Sequence, residues 1–236
     1  MNQTTTPTTS SLHTAGLLWS ISPLWYLLCE AIAASAFDGY SYATFYISDL
    51  GVPEFGEFEG RPLASSLPQV MDAGFIGTGI LFLLGLIVLL PQLRAGVPKV
   101  LLAAFGILHS VGIVFVGLVP GSPENVGNGL ILIHVLGAVG AIGAGNFAAI
   151  SSTWALREIG LARRVRRLGI VLGTLGLLSA ALLAAHWILP DGVWERGAAY
   201  AFILWQLLIG IALLRIAPRA VAPAGHITPE IGPQMN

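Results

Sequence analysis

The chain has 236 residues, of which 55% are hydrophobic and only 10% charged, with a formal net charge of −1. Soluble domains carry about 25% charged residues, so this composition excludes a water-soluble fold, and the near-neutral balance excludes a basic nucleic-acid-binding surface. The single cysteine, Cys29, excludes an intrachain disulfide, and no CxxC or His/Cys metal pattern is present.

In chain order, residues 1–13 are rich in Thr and Ser and read as a disordered tail. Residues 14–217 read as an all-α polytopic membrane helical bundle. A spanning helix needs about 20 mostly apolar residues. Six segments qualify, at roughly 15–36, 70–90, 100–119, 129–150, 168–189 and 198–216. Pro91, Pro120 and Pro190 stand just past three of the ends, where proline cannot continue a helix. Residues 218–236 contain Pro and Gly without periodicity and read as a second disordered tail.

The connections are unequal. The loop at 37–69 is long and acidic, with Asp38, Asp49, Glu54, Glu57 and Glu59, but it also carries Tyr40, Tyr42, Phe45, Tyr46, Ile47 and Leu50. A long connection with that much apolar content is expected to fold, as a short helix or re-entrant segment capping one mouth of the bundle. Lys and Arg near the span ends set orientation. With both termini cytoplasmic, nine of the eleven basic residues fall inside, and only Arg61 and Arg196 fall outside. The expectation is a multi-pass plasma-membrane protein with the 37–69 loop extracytoplasmic. A rival reading takes Ala34-Ser35-Ala36 as a signal-peptidase site, which would leave five spans. The missing positive n-region, Pro23 and Glu30 speak against it.

Gly137, Ala141 and Gly145 share one face of the fourth span, and Gly169 and Gly173 repeat the spacing in the fifth. Such stripes let helices approach closely in lipid. They predict a central fourth helix, or else a homodimer face. Membrane lipids are the other expected partners, and nucleic acid is not one.

Ionisable residues in a spanning helix cost about 2.5–3.5 kcal/mol each on insertion scales and are functional candidates by default. Glu30, Asp72, His109, His134 and His186 qualify, and Asp49, Glu195 and Arg196 lie in the adjoining outer loops. By position along each segment they gather in the outer half of the bundle. Asn146 and hydroxyls are the conspicuous polar groups of the inner half.

Tyr46-Ile47-Ser48-Asp49-Leu50-Gly51 after the first span, His134-Val135-Leu136-Gly137-Ala138 with Gly145-Asn146 in the fourth, and Glu195-Arg196, Tyr200, Trp205 and Gly210 around the sixth together resemble the domain-of-unknown-function 998 family of prokaryotic membrane proteins. The resemblance covers about residues 14–216 and implies a six-helix membrane protein with no established activity. It marks Ser48, Asp49, His134, Asn146, Glu195, Arg196 and Tyr200 as motif positions.

Three functions follow as expectations. The first is a binding protein whose outward-facing polar cavity takes a lipid head group or small polar solute through Glu30, Asp49, Asp72, His109, His134, His186, Glu195, Arg196 and Tyr200, with Arg196 paired to Glu30 or Asp49 at rest. The second is a membrane-embedded hydrolase or acyl-transfer enzyme with Ser48 as nucleophile, His134 as base and Asp49 as orienter. No cofactor is expected, although zinc on the histidines is a variant of this reading. The third is a proton-coupled transporter using Glu30 and His109.

Overall fold

Six helices are long and apolar enough to cross a membrane. In the computed structural model, which describes residues 8–217, they account for most of a chain that is 73% helical. The protein is a multi-pass membrane protein. The spans are α1 (Thr9–Ser35), α2 (Pro68–Leu89), α3 (Val97–Leu118), α7 (Arg163–Ala184) and α8 (Asp191–Leu214), plus one made of two pieces, α5 (Ile131–Val139) and α6 (Gly145–Ala155). A π-helical turn over Gly140–Ala144 joins those two pieces. A short helix, α4 (Pro123–Gly127), lies in the connection before α5. The tail expected at 218–236 and residues 1–7 of the first tail lie outside the described residues, whereas residues 9–13 already belong to α1.

Two span boundaries differ from the sequence expectation for the same reason. Polar residues were assigned to loops, but they form the first turns of helices. α7 begins at Arg163, because arginine is a good helix former whose long stem carries its charge out of the apolar layer. It ends at Ala184, before His186 and Ile188 take left-handed backbone conformations. α8 begins at Asp191, directly after Pro190, and an acid in the first turn suits the positive end of the helix dipole. Glu195 and Arg196 are therefore helical, not loop residues.

The spans form a closed ring. Each packs against the next in sequence, and α8 packs back on α1. No helix is central, contrary to the expectation for the fourth. The axis is filled instead by aromatic side chains from three spans. Trp19 stacks on Phe82 at 5.0 Å, Trp205 lies 5.4 Å from Trp19, and Phe202 lies 5.3 Å from Trp205. Both buried indoles are satisfied: Trp19 Nε1 donates to Phe82 O at 3.0 Å and Trp205 Nε1 to Ser152 Oγ at 3.1 Å.

The small-residue stripes are spent inside this ring. Gly112 of α3 and Gly137 of α5 meet backbone to backbone: a Cβ on Gly112 would lie 2.5 Å from Gly137 O, and one on Gly137 would lie 2.8 Å from Gly112 O. A Cβ on Gly173 of α7 would lie 2.6 Å from Asn146 O on α6. In lipid, helix association rests on such close packing.

The 37–69 connection folds over one end of the ring, the cap end. Beside the expected short helical turn, here a 3-10 turn over Ser48–Gly51, it contains an antiparallel hairpin of β1 (Gly56–Phe58) and β2 (Arg61–Leu63). Glu59 and Gly60 form its two-residue turn with positive φ at both positions, the geometry that matches strand twist. Phe37, Phe45, Ile47, Leu50 and Leu63 are buried beneath it, and Ser65 Oγ donates to Leu50 O at 2.7 Å. The opposite, basic end carries Arg94, Arg157 and the Arg163–Arg167 turn of α7, with Arg94 and Arg157 paired to Glu158 at 3.0 and 3.2 Å.

Candidate functional site

Beneath the cap lies a cavity of about 70 Å³. Its walls are mostly apolar: Phe75 of α2, Ile113 and Val116 of α3, Ala138, Ala141 and Ile142 of the fourth span, and Ala198, Phe202 and Ile203 of α8. Its polar lining consists of Ser48 and Glu195 near the cap, His134, Tyr26, and, midway along their spans, Thr78 and His109.

Helix packing decides where the cavity opens. α5 packs against α3 and the π turn, and makes no comparable contact with α7 or α8. Only His134 and Gly137 of α5 are buried, while Leu132, Leu136 and Val139 are more than half exposed. The fourth span thus closes on α7 and α8 only from its π turn onward. In the cap half a gap separates α5 from α8, with Ala138 and Ile142 on one lip and Ala199 and Ile203 on the other.

Two histidines enter the cavity in fixed orientations. His109 Nδ1 is 2.7 Å from Ala141 O in the π turn, and His134 Nδ1 is 2.8 Å from Val119 O. A ring nitrogen facing a carbonyl carries the hydrogen, so each neutral ring presents Nε2 as an acceptor. His109 Nε2 and Thr78 Oγ1 are both buried without a hydrogen-bond partner. Glu195 accepts from Ile47 N at 2.5 Å, which fastens the cap to α8 at the cavity's edge.

Beside the cavity, and not lining it, is a buried ionic cluster. Arg196 Nη2 lies 3.2 Å from Glu30 Oε1, and Tyr200 OH donates to Glu30 Oε2 at 2.7 Å. Arg196 Nη1 donates to the carbonyls of Tyr42, Phe45 and Gly192 at 2.8, 2.9 and 3.2 Å, and Nη2 also donates to the Tyr40 hydroxyl. The guanidinium stands 4.8 Å from the Tyr42 ring centroid. Arg196 is a clamp that ties α1, α8 and the cap together. Of the two partners expected for it at rest, it takes Glu30.

Asp49 pairs elsewhere. Its carboxylate accepts from Tyr46 N at 2.9 Å and from Arg61 Nε at 3.1 Å. Burial pushes this carboxyl above the usual carboxylate range, and Arg61 and the Tyr46 N–H pull it back. In Arg61→Gln burial, the backbone bond and the repulsion from Glu59 remain, so the carboxyl rises further above its unfolded value. A carboxyl raised in the folded state costs stability as pH rises from its unfolded pKa of about 3.9 through its folded value. The variant is therefore expected to lose about 1–3 kcal/mol at neutral pH and to approach wild type as the solution is acidified. Thermal unfolding of both proteins from mildly acidic to neutral pH checks this, and a pH-independent loss would exclude Asp49 as the partner.

Other expected site residues separate from the cavity. Asp72 lies against Gly51 at the start of α2 and has a buried oxygen without a partner, but it does not line the cavity. His186 is not in a spanning helix: it lies in the turn after α7 with its side chain 71% exposed, 2.9 Å from Asp191 Oδ2. No three His, Cys, Asp or Glu side chains among the described residues come together as a metal-binding group. Among the described residues no hydrogen bond joins Ser48 to His134, and Asp49 bonds to Arg61 while a carbonyl orients His134, so a Ser48–His134–Asp49 relay is not assembled.

The sequence reading missed several participants. Thr78 and Tyr26 line the cavity, Tyr40 and Tyr46 fasten the cap, and Gln206 is fully buried with both amide atoms unpartnered. Their shared feature is lack of formal charge, which made them invisible to a search for ionisable groups. Gln206 and Asn146 also place neutral polar groups in the basic half, so the cap-end bias holds for charged groups only.

The family model described as "Protein of unknown function (DUF998)" matches residues 20–212, which run from α1 into the last turn of α8. The chain belongs to the DUF998 family. Neither a curated protein nor a solved structure matches it. The DUF998 match takes in part or all of each of the six spans, the cap and the cavity-lining residues.

Proposed function

We propose that this protein binds an amphiphile of the membrane, which enters the cap-end cavity sideways from the lipid. The observation that carries this reading is the gap between α5 and α8: the cavity's open side is bordered by apolar residues of two spans rather than by the cap. Apolar walls with a few fixed polar groups suit a ligand with a tail and a small polar end. The size narrows the choice. On the same measure one water needs roughly 10–15 Å³, so a cavity of about 70 Å³ admits a small end group while the chain lies along the gap.

The arginines at the opposite end support an orientation with the cap outside a plasma membrane and the cavity in the outer leaflet. The stack of Phe82, Trp19, Trp205 and Phe202 across the axis favours a blind binding pocket over a transport path. The separate commitments of Asp49 and His134 favour binding over acyl transfer.

Ala199→Trp places an indole on one lip of the gap, and Ala138→Trp does the same on the other. Native mass spectrometry of protein released from its own membrane is expected to show one retained amphiphile on wild type and none on either variant. Equal retention by all three would remove the lateral site.

A further inference from the structure

We infer that the buried end of the ligand is an uncharged hydroxyl and not a phosphate. This rests on the amphiphile reading above and adds the chemistry of its polar end. Two side chains in the cavity carry polar atoms with no partner, and both are almost fully enclosed: His109 at 2% exposure and Thr78 at 1%. The Ala141 carbonyl fixes His109 with Nδ1 as donor, so its neutral ring offers the ligand an acceptor at Nε2. Thr78 offers a hydroxyl, which both donates and accepts. Buried groups of this kind cost free energy until they are bonded. A hydroxyl is the smallest group that donates to one and accepts from the other, and it fits the available volume.

Charge excludes the alternative. Among the described residues no Lys or Arg lines the cavity, and Glu195 is the only carboxylate there. The guanidinium of Arg196, the neighbour of Glu195 in α8, is committed to Glu30, Tyr40 and three carbonyls outside the lining. A phosphate here would be buried beside a carboxylate with no cation to balance it. The neutral histidines do not change this, because each has its one N–H committed to a backbone carbonyl.

The test uses radiolabelled hexadecanol, hexadecane and hexadecyl phosphate, with the full chain in phosphatidylcholine nanodiscs and empty nanodiscs as the partition control. Hexadecanol is expected to bind saturably at one per chain. Hexadecane and hexadecyl phosphate are expected to bind at least about tenfold more weakly, the scale of one unmade hydrogen bond. His109→Phe and the near-isosteric Thr78→Val should each weaken hexadecanol by a similar factor and leave hexadecane unchanged. Thr78→Val keeps the volume of the site and decides the matter if His109→Phe does not fold. Hexadecyl phosphate or hexadecane binding as tightly as hexadecanol, or a Thr78→Val variant indistinguishable from wild type, overturns the hydroxyl assignment while the cavity reading stands. No saturable binding of any of the three overturns both.

Discussion

Arg196→Met is expected to destabilise the protein by about 3–5 kcal/mol, the cost of removing one partner from a buried ion pair. The reason is what remains behind. Glu30 is 1% exposed and would keep only its bond from Tyr200, while three carbonyls and the Tyr40 hydroxyl would lose their donor. The ring can persist after this loss, but the cap loses its main tie to α8, so limited proteolysis is expected to cut within 37–69 in the variant and not in wild type. Glu30→Gln in the same background removes the stranded charge. The double variant is therefore expected to be more stable than the sum of the two single losses predicts, with a coupling of about 0.5–3 kcal/mol, the range for residues in direct contact. Unfolding of the four proteins in one detergent supplies the cycle. Simple additivity would mean that Arg196 and Glu30 do not act as a pair.

Gly112→Val is expected to cost about 3 kcal/mol, the upper part of the range for overpacking a filled interior. The new Cβ would meet Gly137 O at 2.5 Å and Ala141 N at 2.7 Å, and backbone atoms cannot yield as a side-chain tip does. α3 and α5 would have to separate, along the main helix contact that holds α5 in the ring. Gly143→Ala, in the span that Gly112 packs against, is the control: nothing lies within 4 Å of its would-be Cβ, so it is expected to be neutral or slightly stabilising. Thermal unfolding of both variants checks the pair. A tolerated Gly112→Val would show that α3 and α5 do not approach at this point. A destabilising Gly143→Ala would show that the open face of the π turn is covered by something outside the chain.

Much of the fold is legible in the sequence because the membrane makes the signal one-dimensional. A spanning helix must be apolar for about 20 residues, and six runs met that requirement. The boundaries of α7 and α8 were not legible, since Arg163 and Asp191 are polar yet helical and only their helical hydrogen bonds separate a first turn from a loop. The closed ring was not legible either. A glycine stripe says that something packs closely but not what, and Gly137 meets α3 within the same chain. The hairpin was missed because its turn reads Glu59-Gly60, and not the Asn-Gly or Asp-Gly that announces such turns.

The same division holds for the site. Glu30, His134, Glu195 and Arg196 stood out as charges or histidines in apolar surroundings, and each is anchored at the cap end. Their division of labour was not visible. Arg196 and Asp49 could equally have paired with each other; the hairpin brings Arg61 to Asp49 instead and leaves Glu30 for Arg196. Thr78 stands between Gly77 and Gly79 with nothing in the sequence to distinguish it from a packing residue, and its unpartnered hydroxyl is a fact of three dimensions.

The claim that a membrane amphiphile enters between α5 and α8 is tested most directly by photolabelling. A hexadecanol carrying a diazirine midway along its chain, equilibrated with the full-length protein in nanodiscs and irradiated, is expected to label the segments that border the gap, 134–142 and 195–203. Excess unlabelled hexadecanol should abolish that label. Label spread over the lipid-facing sides of α1 and α7, undiminished by competitor, would contradict the account.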